Sequence, residues 1–342
     1  MSGILGLIWN SRHLYEKKQE EKIMKKIAKL TAGLMMAALT FASFSCKKGT
    51  DGPNSGPVEI PADAMRNFTD DSKESDWGIY GVEDLEKLSE VVNGGNNFKG
   101  MTVTVKKDIV INKKVLSADY LEPEEGPDAT PTPGLKNLNS IGTGKTLVDD
   151  DDSAEKDFCG TFDGNGKIIS GLYMYQGHQG LGLIGCANDA VIKNVILVDA
   201  CVINKNVQRD EEAKYPPHDG YDDDRFGGIV GLVKSDGVTI ENCLFAGVLG
   251  SQAAINHGAD LEKNPYEYIG ALVGRCTAES EAKDSFAFAR IYGSHENVIC
   301  GRESENLDQK NVTCVEINSN TNFEDLAAQI ADAIAAVKAN LQ

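Results

Sequence analysis

The chain carries 52 Asp and Glu, five His and eight Cys, so the first question is whether any of them are spaced to do chemistry. Acid–base cleavage of a glycoside needs two carboxylates roughly 5 to 9.5 Å apart, and an abundance of acids does not pick out such a pair. A zinc peptidase needs His-Glu-x-x-His on one helical face. His295-Glu296 does not supply it, because Ile299 stands where the second His belongs. The acidic runs Asp149–Asp152 and Asp219–Asp224 could offer oxygens to calcium, yet neither has the Asp-x-Asn/Asp-x-Asn/Asp-Gly pattern closed by a Glu. Calcium at these loops is the one cofactor the sequence suggests, and solvated charge is the simpler account. Apart from Cys46 there are seven cysteines and no Cys-x-x-Cys. That supports neither a disulfide framework nor a zinc site, so they read as small buried hydrophobes. Tyr215, His218 and Tyr221 in one polar insert, with Tyr266 and Tyr268 in the next, have the character of loop residues that contact a glycan or a protein.

Cys46 has a more definite chemistry. It ends a segment with a basic start at Lys25, Lys26 and Lys29 and an apolar stretch from Leu30 to Phe44. That stretch is shorter than the roughly 20 residues a membrane span needs, and it closes on small residues. Ser43-Phe44-Ser45-Cys46 resembles a lipobox: Ser45 fits, Ser43 stands where Leu is usual, and Phe44 is bulky. The expectation is that Cys46 carries lipid and becomes the first mature residue. Lys47 to Pro57 (KKGTDGPNSGP) then reads as a tether. Lys47 stands where an Asp would favour inner-membrane retention, so the outer membrane of a Gram-negative cell is the expected address, with the cell surface as its face. Gln19-Glu20-Glu21 can be encoded by a purine-rich ribosome-binding sequence, so the start is expected at Met24.

Composition sets limits. The formal charge is −18, and residues 1–45 hold seven Lys or Arg against three Glu, so their removal takes it to −22. Nucleic acid is not an expected partner of a chain so acidic.

The body of the chain repeats. Gly182-Leu-Ile-Gly185 precedes Val191-Ile-Lys-Asn-Val195, and Gly228-Ile-Val-Gly231 precedes Val238-Thr-Ile-Glu-Asn242-Cys243. Gly270-Ala-Leu-Val-Gly274 precedes Lys283-Asp-Ser285-Phe286, and a degraded copy runs from Val298-Ile-Cys-Gly301 to Cys314. Each copy is a short apolar strand, a turn and an alternating strand, and longer polar inserts (Gln208–Phe226 and Ser251–Tyr268) fall at one recurrent point. A unit of this kind cannot bury its inner face alone, whereas stacked neighbours can. The glycines suit tight corners or positive φ, and a stacked Asn can join a side-chain hydrogen-bond ladder. A β-sandwich is the competing reading of the same glycine spacing.

Phe158-Cys-Gly-Thr-Phe-Asp163-Gly-Asn-Gly166-Lys-Ile-Ile-Ser-Gly171-Leu172 resembles the opening segment of GLUG-repeat bacterial surface lipoproteins, and the Gly-x-Ile/Val-Val-Gly copies resemble the repeat itself. The likeness spans roughly Trp77 to Ile317. It implies an all-β fold, a right-handed parallel β-helix (a solenoid), on a surface-attached protein.

Both ends of that region are predicted helical. Leu85, Leu88, Val91 and Val92 have helical spacing within Val82–Asn93, with Gly94-Gly95 as the stop, giving an N-terminal capping helix. Phe323, Leu326, Ile330, Ile334, Val337 and Leu341 form a C-terminal amphipathic helix capped by Thr321 or Asn322, acting as an end cap or a lateral brace. The expected organisation is leader and signal peptide 1–45, tether 46–75, β-helix domain 76–322 and helix 323–342. Function is expected to be adhesion or binding, with membrane contact through Cys46 and a glycan or protein ligand on the inserts. The other reading is a carbohydrate-active, lyase-like enzyme, for which Gly177-His178-Gln179-Gly180 is only a faint echo of a polygalacturonase motif.

Overall fold

The computed structural model describes residues 76–116, 134–143, 156–176, 180–204, 224–234, 236–251, 267–293, 295, 297–318 and 320–341. Cys46 and the leader, the tether, His178, and both acidic runs up to Asp223 lie outside them. Of the described residues, 322–329 fall in one compact unit and the rest in a second.

The second unit is built almost wholly from parallel strands. A first sheet sets seven strands side by side: Asp76–Ile79, Thr102–Val105, Thr161–Asp163, Ala190–Lys193, Val238–Glu241, Ser280–Lys283 and Leu307–Lys310. A second sheet runs in the same chain order through Ile109–Val110, Ile168–Ser170, Ile196–Asn204, Leu244–Ser251, Phe286–Tyr292 and Thr313–Glu316, with Tyr173–Gln176 also on Ile196–Asn204. A third holds Ile184–Ala187, Val230–Val233, Val273–Cys276 and Cys300–Arg302, and a two-stranded fourth pairs Asp224–Gly227 with Glu267–Gly270. Every pairing between these strands is parallel. A β-sandwich would pair its strands antiparallel, so the competing reading of the glycine spacing is set aside and an all-β fold of parallel sheets stands.

Alternation explains the strands. In Val238-Thr-Ile-Glu241 and Ala190-Val-Ile-Lys193 every second residue is buried, which is the period of a half-buried strand. Phe162, Ile192 and Ile240 occupy matching positions on adjacent strands and face one core. Burying each contributes about 1.5 to 3 kcal/mol.

The corner after the first sheet sets the register. Asn194, Asn242, Asp284 and Asn311 follow register-matched residues, and all have φ between 49° and 55°. Asn and Asp tolerate this left-handed region better than other side chains. Asn194 donates Nδ2 to Asp163 Oδ1 at 2.9 Å, Asn242 donates Nδ2 to Asn194 Oδ1 at 2.9 Å, and Asn311 donates Nδ2 to Asp284 Oδ1 at 2.7 Å. The expected side-chain bonding between levels is there in two runs, Asp163–Asn194–Asn242 and Asp284–Asn311. Two uses are expected of the repeat glycines, tight corners and positive φ, and three of the glycines serve close backbone approach. Gly231, Gly274 and Gly301 do not have positive φ; a Cβ at Gly274 would lie 2.5 Å from both Gly231 O and Phe226 N. These three let two backbones pass at close range, and the positive φ of the corner after the first sheet falls to Asn and Asp.

Two helices complete the fold. Helix α1 (Val82–Asn93) buries Leu85, Leu88 and Val92, and its Ser89 hydroxyl donates to Ser140 O at 2.8 Å. Tyr80 N–H donates to Asp84 Oδ2 at its start, and Gly94 N–H and Gly95 N–H close its last turn. Helix α2 (Phe323–Ala339) is capped by Asn322, whose Oδ1 accepts from Glu324 N–H at 3.1 Å. Its buried stripe is Leu326, Ile330, Ala333 and Val337. Ile334 is half-buried and Leu341 exposed, so Ala333 takes the place predicted for Ile334. The C-terminal part of α2 docks on the asparagine corner: Asn242 Nδ2 donates to Val337 O at 2.9 Å, and Asn340 Nδ2 donates to Asn242 Oδ1 at 3.0 Å. The contact is that of a lateral brace.

Asn242→Ala removes three hydrogen bonds and leaves an alanine at positive φ, so it should cost about 2 to 4 kcal/mol. Asn340→Ala removes one and should cost about 1 kcal/mol. Urea unfolding of both variants checks the difference; equal midpoints would mean the corner does not carry the brace.

Candidate functional site

The polar inserts share one root. Strands Ile196–Asn204 and Leu244–Ser251 end in register, Asn204 beside Ser251, and residues 205–223 and 252–266 follow them. The chain returns as Asp224–Gly227 and Glu267–Gly270, which are again in register from their first residues. The return strands lie against the second-sheet strands they left. Segments of different sequence therefore leave and return side by side on a rigid frame, which is how loops acquire binding roles.

Several elements hold that frame firm. Asp199 has φ 51° at a bulge in Ile196–Asn204, and its carboxylate accepts Val115 N–H at 3.0 Å and Leu116 N–H at 2.9 Å. That fixes Val115 and Leu116 over Cys201, Ile203 and Val248. Asn112 ties Lys136 to Gly171 through bonds to Lys136 O, Lys136 N–H and Gly171 O.

Arginines gather at the root. Arg225 is register-matched to Tyr268, and Arg275 is register-matched to Arg302. The Arg302 guanidinium lies 4.1 Å from the centroid of the Tyr268 ring, and its Nη1 donates to the Tyr268 hydroxyl. Arg275 grips Glu303 with Nε at 3.1 Å and Nη2 at 2.8 Å, a fork-to-fork pair. On the departing side Arg290 lies 5.0 Å from the Tyr292 ring and donates Nη1 to Ile317 O at 3.0 Å. Of the expected contact residues, Tyr268 belongs to this cluster and one face of its ring is covered by Arg302. Tyr215, His218, Tyr221 and Tyr266 lie outside the described residues. Sequence reasoning missed Arg225, Arg275, Arg302 and Glu303. The available signal was compositional: the chain has only seven arginines, and three of them belong to this cluster.

A separate cavity of about 330 Å³ is lined by Lys99, Met101, Thr102, Cys159, Thr161 and Asp189, with Lys99 Nζ 3.1 Å from Asp189 Oδ2. Burial, reinforced by Asp157, pushes the Cys159 thiol up. It is held as a thiol, which is a poor nucleophile. The other cysteines are hydrophobes of the interior: Cys186, Cys201, Cys243, Cys276 and Cys300 are buried, and Cys314 is half-buried. Among the described residues no three His, Cys, Asp or Glu side chains are grouped to hold a metal, and no helix is long and apolar enough to cross a membrane. No family model, no curated protein and no solved structure matches this chain.

Burial pushes the Cys243 thiol from its ordinary 9.0 up to about 12, while hydrogen bonding with the backbone of Val195 and Glu241 opposes the shift. A raised folded-state pKa contributes stability that is fully present below pH 9 and lost as the pH climbs towards 12. The drop in urea midpoint between pH 8 and pH 10.5 should be smaller in Cys243→Ala than in the parent. Equal drops would contradict this assignment.

Proposed function

We propose that the protein is a lipid-anchored binding or adhesion module at the outer-membrane surface. A right-handed parallel β-helix presents its inserts to a glycan or partner protein. The common root of the inserts carries this reading, because two dissimilar polar segments start from and end on strands that are in register. The order in which the chain visits its sheets supports the β-helix. From Ala190 onward it passes the first, second, fourth and third sheets in turn, then repeats that order from Val238. Right-handed connection is the rule for parallel strands joined in this way. The GLUG-like motif residues occupy matching places in the repeat: Gly185, Gly231, Gly274 and Gly301 follow register-matched residues of the third sheet. The anchor rests on Lys25 to Cys46 and on the polar Lys47–Pro57 that follows.

Cys46→Ala should abolish incorporation of labelled palmitate and release the protein from the membrane fraction of expressing cells. Labelling that persists would sink the anchor. Replacing residues 208–222 with a short Gly-Ser linker should leave the melting temperature near that of the parent, since loop length alone costs only tenths of a kcal/mol. It should also remove binding detected on a glycan and matrix-protein array; binding that survives would show that the inserts are not the contact surface.

A further inference from the structure

We propose that the cavity beside Lys99 and Asp189 binds a single neutral sugar unit through adjacent hydroxyls. It lies where the chain passes onto the first sheet, whereas the inserts follow strands of the second. It is therefore a site distinct from the insert face.

The floor comes from three strands. Thr102, Thr161 and Val191 are register-matched neighbours on the first sheet, and the residues that follow them, Val103, Phe162 and Ile192, belong to the core. Alternation turns the first three towards the solvent side. They are nonetheless half-buried, at the bottom of a cavity of about 330 Å³, a volume at the small end of ligand pockets. Among the described residues neither threonine hydroxyl has a hydrogen-bond partner. Two open hydroxyls one strand spacing apart, with the methyl groups of Val191 beside them, match a sugar ring, which carries hydroxyls on its rim and C–H groups on its faces.

The wall is built in advance. Phe98 is fully buried and has φ 59°, a conformation that a bulky side chain rarely adopts and that persists only where the surroundings hold it. They do so here. Its ring lies 6.1 Å from that of Phe158, its N–H donates to Asn96 Oδ1 at 3.1 Å, and Cys159 N–H donates to Asn97 O at 2.7 Å. A Cβ at Gly160 would lie 2.7 Å from Phe98 O, so the segment rests directly on the start of its neighbouring strand. A wall fixed in this way costs little ordering when a ligand enters.

The charges select a neutral ligand. Lys99 and Asp189 are the charged residues of the lining, and they cancel, with Nζ 3.1 Å from Oδ2. That contact leaves two ammonium hydrogens and Asp189 Oδ1 without a partner among the described residues. A vicinal diol uses both without separating the pair: one hydroxyl accepts from Lys99 and its neighbour donates to Asp189. A ligand acid or amine would have to displace one of the two partners, and the formal charge of −18 repels an acid at long range.

The test is saturation-transfer NMR on the full chain in detergent with the methyl glycosides of glucose, galactose, mannose and N-acetylglucosamine. Glucuronate and glutamate are the charged comparators. At least one neutral glycoside should show transfer that saturates with concentration. Asp189→Asn, which tolerates the φ of 48° at this position, and Lys99→Gln should each raise its Kd about tenfold, and Thr161→Val about fivefold. Thr161→Phe fills the cavity from its floor on the solvent side of the sheet; it should abolish transfer and melt near the parent, and it remains informative if a charge variant fails to fold. Replacing residues 208–222 should leave transfer unchanged, and a loss there would move the site to the inserts and overturn this one. Transfer from no neutral glycoside would overturn it too, as would undiminished transfer in Thr161→Phe, or tighter binding of glucuronate or glutamate than of every neutral glycoside.

Discussion

The constraint on which the rest depends is a backbone corner. After each strand of the first sheet from Ala190 onward the chain must turn at one residue with φ near 50°, and the next level must turn directly beside it. Asparagine and aspartate accept this conformation, and their side chains can also bond between levels. Asn194 and Asn242 therefore serve two purposes: they lower the cost of the corner and they register one level on the next. Because side chains alternate, a slip of one residue would turn every inward side chain outward. Fixing a single corner thus fixes the core column of Phe162, Ile192 and Ile240, and with it where each strand ends and each insert begins.

Charge is arranged around this frame in two ways. On the first sheet, lysines sit beside acids across strands: Lys193 with Asp163, Lys283 with Glu241, Lys310 with Glu281. Exposed pairs such as these contribute only about 0 to 1 kcal/mol each. Their main effect is local neutrality on a face that would otherwise repel itself. The described arginines make geometric contacts instead: a fork on Glu303, a stack on Tyr268, a carbonyl of Ile317. Lysine and arginine, counted together in a net charge, do different work in this protein.

The local features were legible in the sequence, and the combinations were not. Both helices fall where their apolar spacing puts them, α1 at Val82–Asn93 and α2 from Phe323, because helix formation answers to neighbours three and four residues away. The asparagine ladder was legible because the repeat itself marks the corner. The spacing of the glycines is visible, but the backbone that passes Gly274, at Phe226, belongs to a strand beyond a polar insert. The same obstacle hid the arginine cluster. Tyr268 and Arg302 are 34 residues apart, whereas the neighbouring corners Asn194, Asn242, Asp284 and Asn311 are 48, 42 and 27 apart. With inserts of unequal length no fixed period connects Arg225, Tyr268 and Arg302, which come together from two different sheets.

The position of α2 follows from the same corner. Asn242 has one Nδ2 hydrogen for Asn194 and another for Val337 O, and its Oδ1 accepts from Asn340. Every polar atom of its amide is used, which is what a side chain only 3% exposed requires. Leu307–Lys310 and Thr313–Glu316 are the last strands of the two large sheets. Unpaired strand edges invite association with other chains, and charged side chains are a usual defence. Asp308, Lys310 and Glu316 are exposed on those strands. Their charge guards both edges against pairing with another chain.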